Sequence, residues 1–216
     1  MEKQNLKTNK KRRTFMGVEI VYLYFIGIGF ALFGWIVENC YRIATKGIID
    51  CRFHLLPFIG TYALIPFVYQ LLLGDLDNIA PFGCRAFRTN TLKNKIISNL
   101  MCLTLICSAV FLGEFVFGHL WERLFDVRLW NYTSQPYHVT RYTGLVSTIG
   151  FGVGAYLIFR FAYKPLMGFV RAKVNFNAAR VVCLSLGVLI ALDTALTKIQ
   201  MALLHHAPMY WLVHLW

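Results

Sequence analysis

The sequence predicts an all-α, polytopic transmembrane helical bundle of about five spans plus an interfacial helix. Three observations carry this: five long apolar runs, short loops between them that hold most of the charge, and a composition that a water-soluble globule could not cover. The runs are Ile20 to Val37, Leu55 to Leu73, Ile96 to Gly118, Thr143 to Phe159 and Val181 to Leu204. Each approaches the ~20 residues that a helix rising ~1.5 Å per residue needs to cross ~30 Å of hydrocarbon. With 57% hydrophobic and only 15% charged residues, too little polar surface remains for a soluble fold of this length.

The net charge of +12 would suit nucleic acid only if it formed a solvated basic face, and here it is spread through loops, so no nucleic-acid partner is expected. The membrane accounts for it better. Fourteen Lys and Arg fall in the N-terminal tail (Lys3, Lys7, Lys10, Lys11, Arg12, Arg13) and the second and fourth loops (Arg85, Arg88, Lys93, Lys95; Lys164, Arg171, Lys173, Arg180). Six fall in the first and third loops (Arg42, Lys46, Arg52; Arg123, Arg128, Arg141). The positive-inside rule then places the N-terminus in the cytoplasm and the C-terminus outside, in a plasma-membrane protein.

The first span has the charged start of a signal peptide, but no small-residue cleavage site follows, so it is expected to remain as a span. Residues 1–15 read as a basic cytoplasmic tail that attracts anionic lipid headgroups, and 16–216 as a single transmembrane domain. Pro57 and Pro66 make the second span the one expected to be broken or re-entrant. In the third loop, "HLWERLFDVRLW" puts Leu120, Trp121, Leu124 and Phe125 on one helical face. That pattern predicts an interfacial helix over His119 to Trp130, anchored by Trp121 and Trp130. Gly27 with Ala31, and Gly150 with Gly154, have the small-xxx-small spacing of close helix approach, while Gly152 reads as packing or flexibility.

Ionisable residues inside spans are the candidate functional groups, since each costs ~2.5 to 3.5 kcal/mol on insertion scales unless partnered. Asp193 is near the middle of the last span, with Thr197 and Gln200 continuing its stripe; it reads either as a proton or cation site or as a structural hydrogen bond to a neighbouring helix. Lys198, about 140° round the helix, is not its natural partner. Glu114 is the carboxylate within the third span. Glu38 closes the first span with Arg42 at i+4, which alone reads as a surface pair. In the predicted orientation Glu38, Arg52, Glu114, Glu122 and Arg128 gather at the outer face as a vestibule of mixed charge.

Six cysteines form no C-x-x-C pair; Cys40 and Cys51 share an outer loop, so a disulfide between them is open. The adjacent His205 and His206 are poorly placed for one metal, no P-loop sequence occurs, and no metal or cofactor is expected.

Two segments, "GWIVENCYR" and "ERLFDVRLWNYTSQPYHV", resemble the bacterial family of putative ABC-transporter type IV proteins, or CmpB-like permeases. The similarity runs from about Gly27 to Leu166, and its more specific part joins Glu122, Leu129, Trp130, Asn131, Tyr132 and Pro136. The resemblance implies a multi-pass bacterial membrane protein that acts as a transporter subunit without its own ATPase, and implies no substrate or catalytic residue. Its partners would be membrane lipids, a second copy of the chain and a separate ATPase subunit. A membrane-embedded enzyme acting on a lipid or cell-envelope substrate at the outer face is the alternative, with Glu38 or Glu114 as acid or base. A non-transporting scaffold or regulator is the third reading.

Overall fold

The computed structural model describes residues 12–216. Five helices form the bundle: α1 (Ile20–Lys46), α2 (Gly60–Leu72), α3 (Leu92–Phe125), α4 (Leu145–Lys173) and α5 (Phe176–Leu204). All but α2 are long and apolar enough to cross a membrane. They extend past the apolar runs because hydropathy marks only the hydrocarbon-facing part. At ~1.5 Å per residue the 34-residue α3 measures about 51 Å.

Local chemistry sets the helix ends. Gly47, at φ 63°, closes α1 with its N–H on the Ile43 carbonyl. The hydroxyl of Thr91 accepts from Asn94 N–H to start α3, and the Asn175 side chain accepts from Asn177 and Ala178 N–H to start α5. Pro165 lies inside α4, where the π-helical stretch Phe159–Tyr163 precedes it and accommodates the missing donor.

The second crossing is broken, as the prolines predict. Gln70 donates to the Met16 carbonyl and Phe67 meets the Phe15 ring at 5.7 Å, whereas Arg52 reaches Glu38. The chain from Arg52 to Gln70 therefore runs antiparallel to α1 from end to end, first as non-helical chain through Ile59 and then as α2. Pro57 lies in the non-helical part and Pro66 in the first turn of the α-helical part, where the absent N–H costs nothing.

The third loop differs from its expectation. His119 to Phe125 continue α3, and after Asp126, at φ 53°, the chain is loop, so no separate interfacial helix forms over His119 to Trp130. The apolar face read there, Trp121 with Phe125, extends a face of α3, with those rings edge to face at 5.7 Å.

Small residues determine which helices touch. A Cβ on Gly27 would overlap the Ala63 carbonyl oxygen, and one on Gly34 the Tyr62 ring, so α1 and α2 meet through these glycines. Ala31 is fully buried, and its carbonyl accepts from Ile59 N–H at 3.1 Å. The expected Gly150 and Gly154 contact is absent: a Cβ on either meets open space. Gly152 is the contact instead, against Cys107 of α3.

The two ends of the bundle differ. At the end holding the start of α1, a core of Leu23, Ile26, Tyr69, Leu73, Cys102, Phe159, Tyr163 and Met167 joins α1, α2, α3 and α4. Ion pairs ring it: Glu19 with Arg171 (3.0 Å), Asp75 with Lys164 (2.7 Å) and Asp77 with Arg160 (2.6 Å). The hydrogen bond from Arg160 holds the Asp77 carboxyl below the usual carboxylate range. At the other end, strand Ile48–Asp50 pairs antiparallel with the C-terminal strand Leu212–His214. The part of the predicted 1–15 tail before Arg12 lies outside the described residues, and Phe15 already belongs to the packed structure.

Gly27→Val should therefore lower stability by roughly 1–3 kcal/mol through overpacking against Ala63. Gly29→Ala, two residues away with open space at its Cβ, should not. Thermal melting of the two purified variants in detergent checks the contrast.

Candidate functional site

A cavity of about 590 Å³ lies between the broken crossing and α3, with walls from Glu38, Arg52, His54, Tyr62, Glu114, Trp121, Trp130 and Lys198 among others. That volume is in the range of ligand pockets. Of the residues singled out from sequence, Glu38, Arg52, Glu114, Trp121 and Trp130 share this wall. Glu122 and Arg128 do not; they pair with each other at 2.8 Å, and Arg141 joins Glu122 at 3.0 Å. The mixed-charge vestibule thus divides into a lined cavity and a surface cluster.

The ion pairing at its polar end is long-range. Glu38 takes Arg52 rather than the expected Arg42: Arg52 Nε donates to Glu38 Oε2 at 2.6 Å, and the Tyr62 hydroxyl donates to Oε1 at 3.0 Å. Arg42 pairs instead with Asp50 at 2.7 Å. Asp50, fully buried, also accepts from Arg52 N–H at 2.9 Å, and its own N–H donates to Asn39 Oδ1 at 2.9 Å. The turn between α1 and the broken crossing thereby brings Asp50 back over α1, nearer to Arg42 than Glu38 is. Arg52 and Phe53 hold this turn at φ 51° and 69°, left-handed values that cost of order 1–3 kcal/mol each for residues with a Cβ.

Asp193 has a structural task. Its two carboxylate oxygens accept from the backbone N–H groups of Leu55 (2.9 Å) and Leu56 (3.1 Å), and Thr197 donates to the Phe53 carbonyl at 2.8 Å. The stripe read on the last span therefore supplies the hydrogen bonds that the non-helical stretch lacks. The structural hydrogen bond expected of Asp193 forms, to the non-helical stretch rather than to a neighbouring helix. His54 approaches the same carboxylate with Nδ1 at 3.6 Å, on the cavity side.

Glu114 accepts from the Tyr132 hydroxyl at 3.2 Å and the Thr148 hydroxyl at 3.0 Å, one on each oxygen. Burial foremost, and then the nearby Glu114 carboxylate, push the Tyr132 phenol upward, so it remains a neutral donor. Lys198 lies over the Trp121 ring at 5.4 Å and enters none of the ion pairs found among the described residues. Trp130 donates to the Tyr142 carbonyl at 3.0 Å and meets its ring edge to face. Cys40 is exposed and Cys51 buried, both as free thiols.

Sequence reasoning missed Tyr62, His54 and Thr148, and singled out Tyr132 only through the resemblance, because each acts across a distance in sequence that no local pattern reveals. The polar stripe of α5 was the available signal for the Leu55 and Leu56 contacts.

An all-α bundle with four helices long and apolar enough to cross a membrane, and a broken crossing beside a lined cavity, is the architecture of a polytopic membrane protein. The chain belongs to the family described as putative ABC-transporter type IV, whose sequence model matches residues 23–198. The match reaches further in both directions than the two resembling segments imply. No curated protein and no solved structure matches the chain.

Asp193→Ala strands the Leu55 and Leu56 N–H groups, at roughly 1–3 kcal/mol for each group left unpaired. Asp193→Asn keeps one acceptor oxygen and should lose less. Melting temperatures of the two variants should rank parent, Asn, Ala; equal values for all three would refute the structural task.

Proposed function

We infer that the chain is a transporter-type membrane subunit that offers its ligand the cavity walled by Glu38, Arg52, Tyr62 and Glu114. The observation that carries this reading is the broken crossing. Non-helical backbone at membrane depth is tolerated where protein buries it or where it lines a cavity, and discontinuous helices build the binding sites of many transporters. Here the non-helical stretch contributes Arg52, Phe53, His54 and Ile59 directly to the cavity wall. Five crossings leave little room for a continuous path beside this cavity, which favours completion by a second copy or by other subunits. The sequence has no P-loop, so energy would come from a separate ATPase subunit.

Glu38 is held by the Arg52 guanidinium and the Tyr62 hydroxyl, and Glu114 by the Tyr132 and Thr148 hydroxyls, so each carboxylate ties neighbouring elements of the cavity wall together.

In cells lacking the native gene, Glu114→Gln at matched membrane abundance should fail to restore the cellular phenotype, and a separate ATPase should copurify with the parent chain. Full restoration by the Gln variant would remove the Glu114 charge from the function.

The orientation follows from charge: the end carrying Arg12, Arg85, Lys95, Lys164 and Arg171 faces the cytoplasm of a plasma-membrane protein. Cys40 and Cys84 are exposed on opposite ends of the bundle, and Cys51 is too buried to report. In intact cells an impermeant maleimide should label a variant retaining only Cys40 and spare one retaining only Cys84. The reverse pattern would invert the topology.

A further inference from the structure

Most of the cavity is not polar. Below its charged end it continues as an apolar groove between α2 and α3, lined by Leu64, Val68, Leu105, Ala109, Val110 and Phe117. Leu64, Val68, Leu105 and Phe117 are exposed, so the groove opens sideways from the bundle rather than through either end. From Leu105 to Trp121 it follows α3 for about 24 Å, longer than half of the ~30 Å hydrocarbon core. Ala109 and Gly113, one turn apart on the facing side of α3, keep it wide: a Cβ on Gly113 meets nothing within 4 Å.

Of the four charged residues on its wall, Glu38, Arg52 and Lys198 gather at one end. Arg52 and Lys198 line that end together with Glu38; Glu38 takes Arg52, and Lys198 is the cation with no carboxylate partner among the described residues. The nearby Asp193 carboxylate is already met by two backbone N–H groups. Glu114 lies seven residues before Trp121, about 10 Å further down α3, and is drawn to the hydroxyls of Tyr132 and Thr148. Trp121 and Trp130 flank the charged end, as aromatic side chains do at headgroup depth.

A long apolar groove open to the hydrocarbon, ending in an unpaired lysine between two tryptophans, is complementary to an amphiphile with a negative head. We propose that the groove holds an acyl chain of an anionic membrane lipid, its headgroup at Lys198. This deepens the transporter reading by naming the substrate class and rests on that reading for the word substrate; occupancy of the groove is measured separately.

The test places the full chain in phosphatidylcholine nanodiscs containing a trace of phosphatidylglycerol with a photoactivatable diazirine on its acyl chain, or the equivalent phosphatidylcholine probe. Adducts mapped by mass spectrometry should concentrate on Leu64, Val68, Leu105 and Val110. The anionic probe should exceed the neutral one about fivefold, the ratio for ~1 kcal/mol from one lysine near an anionic lipid. Lys198→Gln should remove that preference and leave groove labelling in place. Gly113→Leu, which fills open space and strengthens the helix, should suppress labelling by both probes. Adducts spread evenly round α3 and α5, equal yields from the two probes, or unchanged labelling in Gly113→Leu would each overturn the proposal. So would efficient Val110→Cys disulfide formation between two copies, which would place a second chain in the groove. If the Glu114→Gln variant restores the phenotype while groove adducts persist, the transporter reading fails and the lipid site stands. If that variant fails to restore it and no groove adducts form, the transporter reading stands and the lipid site fails.

Discussion

The hydrogen bonding of one non-helical stretch governs the architecture. A backbone that leaves the helix inside a membrane must find partners for its polar groups within the protein, at several kcal/mol for each one it fails to satisfy. Between Arg52 and Ile59 the N–H of Arg52 goes to Asp50, that of His54 to the Cys51 carbonyl, those of Leu55 and Leu56 to Asp193, and that of Ile59 to Ala31. Pro57 has none to place. Two of these acceptors are buried carboxylates, so the charges that look expensive within the spans are what makes the break tolerable. The left-handed turn at Arg52 and Phe53 depends on the same set, since Asp50 and Thr197 fix the backbone on either side of it.

That break also positions the cavity. An uninterrupted helix from Leu55 onward would direct Arg52 and His54 along its own axis, whereas the turn returns Arg52 to Glu38 and leaves His54 on the wall. Tyr62, the first bulky residue after α2 begins, then fits over Gly34 and reaches the second oxygen of Glu38. Glu38 is held by two donors that arise from the break, and neither is the neighbour that helical spacing offers.

The limits of what was readable follow from this. Apolar runs and prolines are local, and they marked the five helices, the break at the second and the bundle class. Spacing rules also select the acidic and polar residues within spans, which is why Asp193, Glu114 and Glu38 were recognisable. Partners were not, because Arg42 and Arg52 are equally plausible for Glu38 until the Ile48–Asp50 strand places Asp50 over Arg42. The amphipathic pattern of His119 to Trp130 was real, but a pattern with helical period does not distinguish a new helix from the continuation of an old one. α3 continues because no residue before Asp126 stops it. Likewise the spacing of Gly150 and Gly154 could not tell which face of α4 meets α3; Gly152 does, since that face lies against Cys107.

The packing suggests how such a cavity can change. α1, α2 and α5 form one closely packed unit through Gly27, Gly34 and the Asp193 contacts, and α3 with α4 forms another through Gly152. At the end ringed by the Glu19, Asp75 and Asp77 ion pairs, the two units share a core that includes Tyr69, Cys102 and Phe159. Toward the other end they part, and the cavity occupies the gap. A close-packed core resists shear, whereas a seam crossed by few side chains does not, so tilting α3 and α4 about the shared core is the least costly motion that opens or narrows the groove. Such a tilt would move Trp121 relative to Lys198 and Glu114 relative to Glu38 while leaving the Asp193 contacts intact, because those lie wholly within the first unit. Glu38, Arg52, Tyr62 and Lys198 share the first unit with the groups that stabilise the break, and Glu114 and Trp121 lie on the second, so such a tilt would change the cavity between them without disturbing the break.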